Sequence, residues 1–198
     1  MSWLSVVLTV SLAQNVVLVH YLGVDPLPTA VSSPSRAAVV SAGVTGSLVW
    51  ISLLYWLVHR FVLTPLSMQV LDAVVLAMLI GGSSVLLLWG GTKLAPAYER
   101  GIRETVPMII PNFTVFVAAS AIVDAVDTLG VALLAALATG IGLFLALVPL
   151  AAIRRELRNR RLPEILRGDA SVYIAAALMA LAIQQIDRLL QTVQVPIF

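Results

Sequence analysis

The sequence predicts an all-α integral membrane protein, with six transmembrane helices arranged as two inverted three-helix repeats. Three observations predict it. Of the 198 residues, 60% are hydrophobic and only 11% are charged, whereas soluble domains carry about 25% charged residues. The charges lie in islands that separate uncharged stretches, and several landmarks recur 97 positions apart. We therefore expect a single membrane domain, 1–198.

The islands of charge separate six uncharged stretches, which are the predicted spans. They are Met1 to Val24, Ala37 to Val58, Ala73 to Thr92, Thr105 to Val123, Thr128 to Ile153 and Ala170 to Ile186. A helix needs roughly 20 apolar residues to cross the hydrocarbon core, so six crossings use most of the chain. The first stretch has no basic residue before Trp3, and Gln14, Asn15 and His20 interrupt it, which predicts a retained span rather than a signal peptide.

The basic residues predict the orientation. Ten of the twelve follow the first, third and fifth spans, and the opposite side has only Arg60 and Arg188. Cytoplasmic loops carry the Lys and Arg excess, so both termini are expected outside the cytoplasmic membrane. The largest group is a predicted cytoplasmic basic loop of Arg154, Arg155, Arg158, Arg160, Arg161 and Arg167, which we interpret as a topogenic segment at the lipid headgroups.

The internal repeat is supported by spacing rather than by residue identity. The offset of 97 relates Asn15 to Asn112 and Asp72 to Asp169, which divides the chain into repeats 1–98 and 99–198. Three spans in each repeat reverse the orientation of the second copy, as in many transport proteins.

The first span of each repeat is predicted to be interrupted. Its breakers are Gly23, Pro26 and Pro28 after Asn15 in one repeat, and Pro107 and Pro111 before Asn112 in the other. Backbone groups freed at membrane depth must be buried in protein or line a cavity. Paired breaks of this kind indicate a functional site at the midplane; the alternative is that the two asparagines only bond helices together.

Small residues four positions apart predict close helix packing in the remaining spans. Examples are Gly43 with Ser47 and Ala136 with Gly140. Such pairs let helix backbones approach one another.

Composition also excludes several classes of function. There is no cysteine, which removes disulfides, thiolate nucleophiles and cysteine-ligated metals. Two histidines, His20 and His59, leave little material for a histidine-based metal site. Enzyme chemistry within this chain alone is therefore not expected.

Two local motifs resemble a known family. The run from Gln14 to Pro26 (QNVVLVHYLGVDP) is similar to the first span of the small membrane subunits of Rnf and Nqr complexes, of the RnfA and NqrE type. The stretch from Ala151 to Met179 resembles the fifth loop and sixth span of the same family. The resemblance runs along essentially the whole chain, and six spans in two inverted halves agree with it.

The resemblance implies a partner and a cofactor. In the family, two such subunits of opposite topology each supply two cysteines to a 2Fe-2S cluster at their interface. Here the first cysteine position carries Asp25 and the second, directly after Asn112, carries Phe113. We therefore expect no cluster bound by this chain alone, a related six-helix partner of opposite topology together with other redox subunits, and no nucleic-acid partner.

Three functions remain open at this point. The chain is a membrane subunit of an Rnf/Nqr-like ion-translocating oxidoreductase, a cluster-free scaffold subunit of a related complex, or a stand-alone inverted-repeat transporter. Asn15, Asp25 and Asn112 are the candidates for the midplane site or ion path, and in the transporter they would line the path. Asp25 has an alternative interpretation as a turn residue that begins the cytoplasmic loop before Pro26.

Overall fold

The structure, a computed structural model, describes residues 32–94, 99–126, 128–158 and 169–192. Within these ranges the regular elements are helices: α1 (Pro34–Val58), α2 (Asp72–Leu94), α3 (Glu99–Ile109), α4 (Phe113–Ala125), α5 (Leu129–Arg158) and α6 (Asp169–Thr192). A π-helical turn, His59–Leu63, continues α1, and a 3₁₀ turn, Gln69–Leu71, leads into α2.

The all-α class is confirmed for the described residues, which contain no strand. Helices α1, α2, α5 and α6 correspond to the second, third, fifth and sixth predicted spans, while α3 and α4 together cover the fourth. The first span lies outside the described residues. Three segments are long and apolar enough to cross a membrane by length and composition: Pro34–Leu63, Asp72–Lys93 and Leu129–Leu157. Two shorter apolar helices, Phe113–Asp124 and Ser171–Ala182, accompany them.

Helix α2 shows why these segments suit a bilayer. Its 23 residues rise about 34 Å, close to the hydrocarbon thickness of about 30 Å. Lys93 Nζ lies 4.0 Å from the ring centroid of Trp89 at its final turn, a pair suited to the headgroup region. Large apolar side chains such as Met78 and Leu86 are exposed along the helix, as expected where lipid or another protein chain covers them.

The chain forms two compact groups of residues. One is Gly43–Leu137, in which α2 packs on α3 and α4; its fully buried side chains include Leu48, Ile51, Tyr55 and Leu76. The other, within the described residues, consists of 32–42, 138–158 and 169–192.

The second group has a tightly packed core in its described part. Leu150 and Val172 are fully buried there. Ala138 and Ala146 of α5 are likewise buried, so small side chains line the packed face of this helix.

Helix α5 corrects the predicted boundary of the basic loop. The uncharged stretch ends at Ile153, but α5 continues to Arg158, so the first five residues of the predicted loop are helical. Leu, Arg and Glu are good helix formers, and nothing in the run 154–158 breaks the ladder. At 30 residues the helix is about 45 Å long, so its end extends beyond a bilayer core of about 30 Å.

Candidate functional site

The predicted interruption of the fourth span is present. Helix α3 ends at Ile109 and α4 begins at Phe113, with Pro111 between them. Proline has no backbone N–H to donate, and its ring disfavours the helical conformation of the residue before it. The helical ladder therefore stops here and restarts one turn later.

Asn112 restarts the helix. Its extended backbone and side chain form the N-cap of α4, and its Oδ1 accepts a hydrogen bond of 2.9 Å from the backbone N–H of Thr114. Its backbone carbonyl accepts from Val115 N at 2.9 Å. Asparagine is among the best N-cap residues because its oxygen satisfies one of the orphan N–H groups of the first turn.

Helix α1 satisfies the other side of the break. The Ser47 hydroxyl lies 2.9 Å from the carbonyl oxygen of Val44 in its own helix and 3.3 Å from that of Ile109. The Ile109 carbonyl is one of the groups that the end of α3 leaves without an intrahelical partner. A hydroxyl on a neighbouring helix replaces the water that lipid does not supply.

Gly43 makes this contact possible. It lies one turn before Ser47, and a Cβ on it would overlap the Ile109 side chain. The Gly43–Ser47 pair was predicted to allow close packing, and this is confirmed; what it packs against is the end of the broken helix.

Phe113 and Thr114 point to different environments just after the break. The Phe113 ring is 57% exposed and stacks on Phe116, with ring centroids 6.3 Å apart and an interplanar angle of 7°. Thr114 is 1% exposed, and its buried Oγ1 has no hydrogen-bond partner among the described residues. The break thus presents an aromatic pair outward and an unsatisfied hydroxyl inward.

This site does not fit a cysteine-ligated cluster. Phe113 stands where the resemblance implies a cluster ligand, and a phenyl ring has no donor atom for iron. The whole chain has no cysteine, and the clusters of this class need thiolate or imidazole ligands.

Only some of the other predicted site residues lie within the described part of the chain. Asn15 and Asp25 lie outside the described residues, so the structure does not test whether they approach Asn112. Arg154 is half-buried and Arg155 is exposed at the end of α5. Arg158 is helical, and Arg160, Arg161 and Arg167 lie outside the described residues.

Ser47 and Gly43 are the residues of the site whose role sequence reasoning missed. The interpretation stopped at helix packing because nothing in the sequence says which helix meets the small face of α1. The sequence did offer one signal: a serine hydroxyl one turn from a glycine on an apolar helix. A helix break elsewhere in the chain frees backbone carbonyls, and such a hydroxyl can donate to one of them.

Comparison with known proteins supplies the family. A family model described as "Rnf-Nqr subunit, membrane protein" matches residues 3–190. One relative belongs to the proton-translocating ferredoxin:NAD(+) oxidoreductase complex of Clostridium ljungdahlii; it is 29% identical over 182 residues, covering 91% of this chain and 94% of the relative. Two others belong to ion-translocating oxidoreductase complexes. The one from Pasteurella multocida is 26% identical, covering 91% and 94% of the two chains, and the one from Rhodobacter capsulatus is 26% identical, covering 91% and 93%.

Proposed function

This chain belongs to the Rnf-Nqr family of membrane subunits, and from that premise we propose that it is a membrane subunit of an ion-translocating electron-transport complex. The observation that carries the proposal is the family match over residues 3–190. The relatives are named as subunits of oxidoreductase complexes, and the match covers more than nine-tenths of their length. Both facts favour a complex subunit over a stand-alone transporter.

The proposed architecture is six spans in two inverted repeats, with both termini outside the bacterial cytoplasmic membrane. The basic end of α5 supports the orientation, because Arg154 and Arg155 continue a membrane-length helix into the headgroup region of the side with more positive charge. The break between α3 and α4 supports the repeat at one of its two predicted positions. In this arrangement Asn15, Asp25 and Asn112 are the candidates for the ion path.

The proposed partner is a related six-helix subunit of opposite topology, and the Phe113–Phe116 pair is the surface that we propose it covers. Phe113 is exposed beside a helix break, and exposed aromatic side chains are frequent anchors of subunit interfaces. The resemblance implies a cluster ligand at this position, between the two subunits. An aromatic contact would fill the interface in place of that ligand.

The chain is accordingly proposed to bind no 2Fe-2S cluster of its own, and electrons would pass through cofactors of other subunits. A cluster-free scaffold subunit is the second candidate, and the substitution at Phe113 is the observation that favours it. The translocating subunit and the scaffold subunit differ in one respect. If this chain is only a scaffold, it takes no part in coupling electron transfer to ion movement.

Purification from the native host tests the proposal. The tagged full chain is extracted in a mild detergent, co-purifying proteins are identified by mass spectrometry, and iron, flavin and oxidoreductase activity are measured in the same preparation. We expect a second six-span protein and redox subunits. A preparation that is stable and transport-competent without any partner would contradict the subunit function, whereas a redox complex that keeps coupled ion transport after loss of this chain would favour the scaffold.

A further inference from the structure

A second polar cluster lies at the junction of α1 and α2, away from the helix break. His59 Nε2 is 3.7 Å from Asp72 Oδ2, which is within ion-pair distance and longer than a hydrogen bond. The Tyr55 ring lies 5.9 Å from the His59 ring, centroid to centroid, at an angle of 59°. We name Tyr55, His59 and Asp72 the junction cluster. In the sequence, Asp72 served only as a landmark of the repeat.

The backbone at His59 is held in an unusual conformation. The π-helical turn His59–Leu63 begins there, and Thr64 donates two hydrogen bonds to the His59 carbonyl, from its backbone N–H at 2.9 Å and from its hydroxyl at 2.8 Å. Single π turns occur frequently at functional sites because the extra residue redirects the side chains of the helix. The turn fixes the backbone from which the His59 side chain extends toward Asp72 at the start of α2.

Buried polar atoms surround the histidine. Tyr55 is 1% exposed and interacts electrostatically with Asp72 and with Asp124 at the end of α4. Ser52 is fully buried, and neither its Oγ nor Asp72 Oδ1 has a hydrogen-bond partner among the described residues.

The residues of this group that belong to α1 lie on the same side of the helix. Ser52, Tyr55 and His59 are spaced i, i+3 and i+7, which places them on one face of α1. An unsatisfied buried polar atom destabilises the fold. One such atom, Asp72 Oδ1, belongs to the pair itself, and a second, Ser52 Oγ, lies two turns earlier on the same face of α1, which indicates that the cluster is built for an exchangeable group.

The side chains present favour a proton over a metal ion. No group of three His, Cys, Asp or Glu side chains suited to a metal occurs in the part of the chain that the structure describes. Hard cations need six or more oxygen ligands in most protein sites. Among the other charged groups, Arg60 follows His59 in the chain and is exposed. Asp124 of α4 interacts electrostatically with Tyr55. Glu99, Arg103 and Glu104 are in α3 and are exposed.

We propose that the junction cluster is a proton-binding site, in which the His59 ring takes up one proton and the Asp72 carboxylate balances its charge. The proton comes from water and returns to water, and no bond other than the N–H bond forms or breaks. The arginine distribution places the cluster at the outer ends of the spans, so it would exchange protons with the outside. That the junction cluster forms the outer end of the ion path rests on the proposed function.

One experiment tests proton binding without the complex. Replacing His20 by Gln leaves His59 as the only histidine, so ¹⁵N-histidine NMR of the full chain in lipid nanodiscs reports its ring alone. At a fixed pH near 6.5, the protonated fraction of the ring is compared before and after the Asp72→Asn substitution, and the proposal requires that loss of the balancing carboxylate lowers this fraction. Arg60→Gln is the matched control and should not lower it. Equal protonated fractions before and after the Asp72→Asn substitution would overturn the proposal.

A second measurement tests the role in translocation. Complexes carrying His59→Gln or Asp72→Asn are assayed in inverted vesicles for assembly, uncoupled electron transfer and proton movement. Asparagine keeps the size and shape of aspartate, so assembly and uncoupled electron transfer should persist while proton movement falls about tenfold or more. Wild-type proton movement in both variants, or loss of sodium movement alone, would overturn the proposed site. Absence of redox partners would instead contradict the proposed function and leave the NMR result standing.

Discussion

The Ser47 hydroxyl shares its one proton between the Val44 carbonyl of its own helix, at 2.9 Å, and the backbone carbonyl of Ile109, 62 positions later in the chain, at 3.3 Å. This bond joins an unbroken helix to the end of a broken one. In a bilayer the freed carbonyl has no water to accept from, so the break is tolerated because α1 brings a hydroxyl to it. Gly43 removes the side chain that would otherwise hold α1 away from Ile109.

Gly43→Ala should therefore destabilise the chain although alanine is the better helix former. The added Cβ overlaps Ile109, and overpacking costs about 1–3 kcal/mol, against a propensity gain of about 1 kcal/mol. Gly46→Ala is the control, since a Cβ there meets nothing within 4 Å. Unfolding by SDS in mixed micelles should rank Gly46→Ala at or above wild type and Gly43→Ala below it. Equal stability of the two variants would contradict the close contact.

Asn112 is expected to have two separable roles. Asn112→Ala removes the cap of α4 and should cost about 1 kcal/mol of unfolding free energy, whereas Asn112→Ser keeps a capping oxygen and most of the stability. If the carboxamide also serves the midplane site, the Ser variant should fold normally and lose ion coupling. Full coupled activity in Asn112→Ser, measured in the assembled complex, would reduce Asn112 to a helix cap.

The helix break could be predicted from sequence and its surroundings could not. Pro107, Pro111 and Asn112 indicate a broken span because proline removes a donor and asparagine supplies a cap. Their partner, Ser47, is specified by three-dimensional packing, and serine on an apolar helix has several structural uses. The His59–Asp72 pair was missed for a similar reason: 13 positions and a π turn separate the two residues, and neither residue alone distinguishes a site from a loop.

The orientation is testable because the chain has no cysteine of its own. Leu66→Cys places a thiol on an exposed turn between α1 and α2, and Arg155→Cys places one on the exposed end of α5. An impermeant maleimide added to intact spheroplasts should label position 66 and not position 155, because the arginine distribution puts these ends on opposite sides. Labelling of both positions from outside would refute the topology, and labelling after lysis controls for reactivity.

Asp25 lies outside the described residues, so mutation has to separate its two interpretations. An acid at membrane depth is costly unless it is protonated, paired or hydrated, and such acids are usually functional. We expect Asp25→Asn to impair ion coupling or complex assembly while membrane insertion, followed by carbonate-resistant membrane retention, is unchanged. If Asp25→Asn and Asp25→Ala both keep full coupled activity and assembly, Asp25 is a turn residue at the start of the cytoplasmic loop.

Phe113 should matter for the partner rather than for the fold. Its ring is 57% exposed, so Phe113→Ala removes little buried area within the chain and should change the unfolding free energy by less than about 0.5 kcal/mol. In an interface, loss of an aromatic anchor typically costs at least about 1–2 kcal/mol, which weakens partner binding about tenfold. When the tagged chain is held on an affinity column and washed with detergent, the Phe113→Ala variant should therefore lose its partner subunit after fewer washes than the wild type. Phe144→Ala on α5, where the ring is 44% exposed, is the matched control and should retain the partner as the wild type does. Equal loss of the partner in both variants would mean that the effect comes from detergent contact and not from the proposed interface beside the helix break.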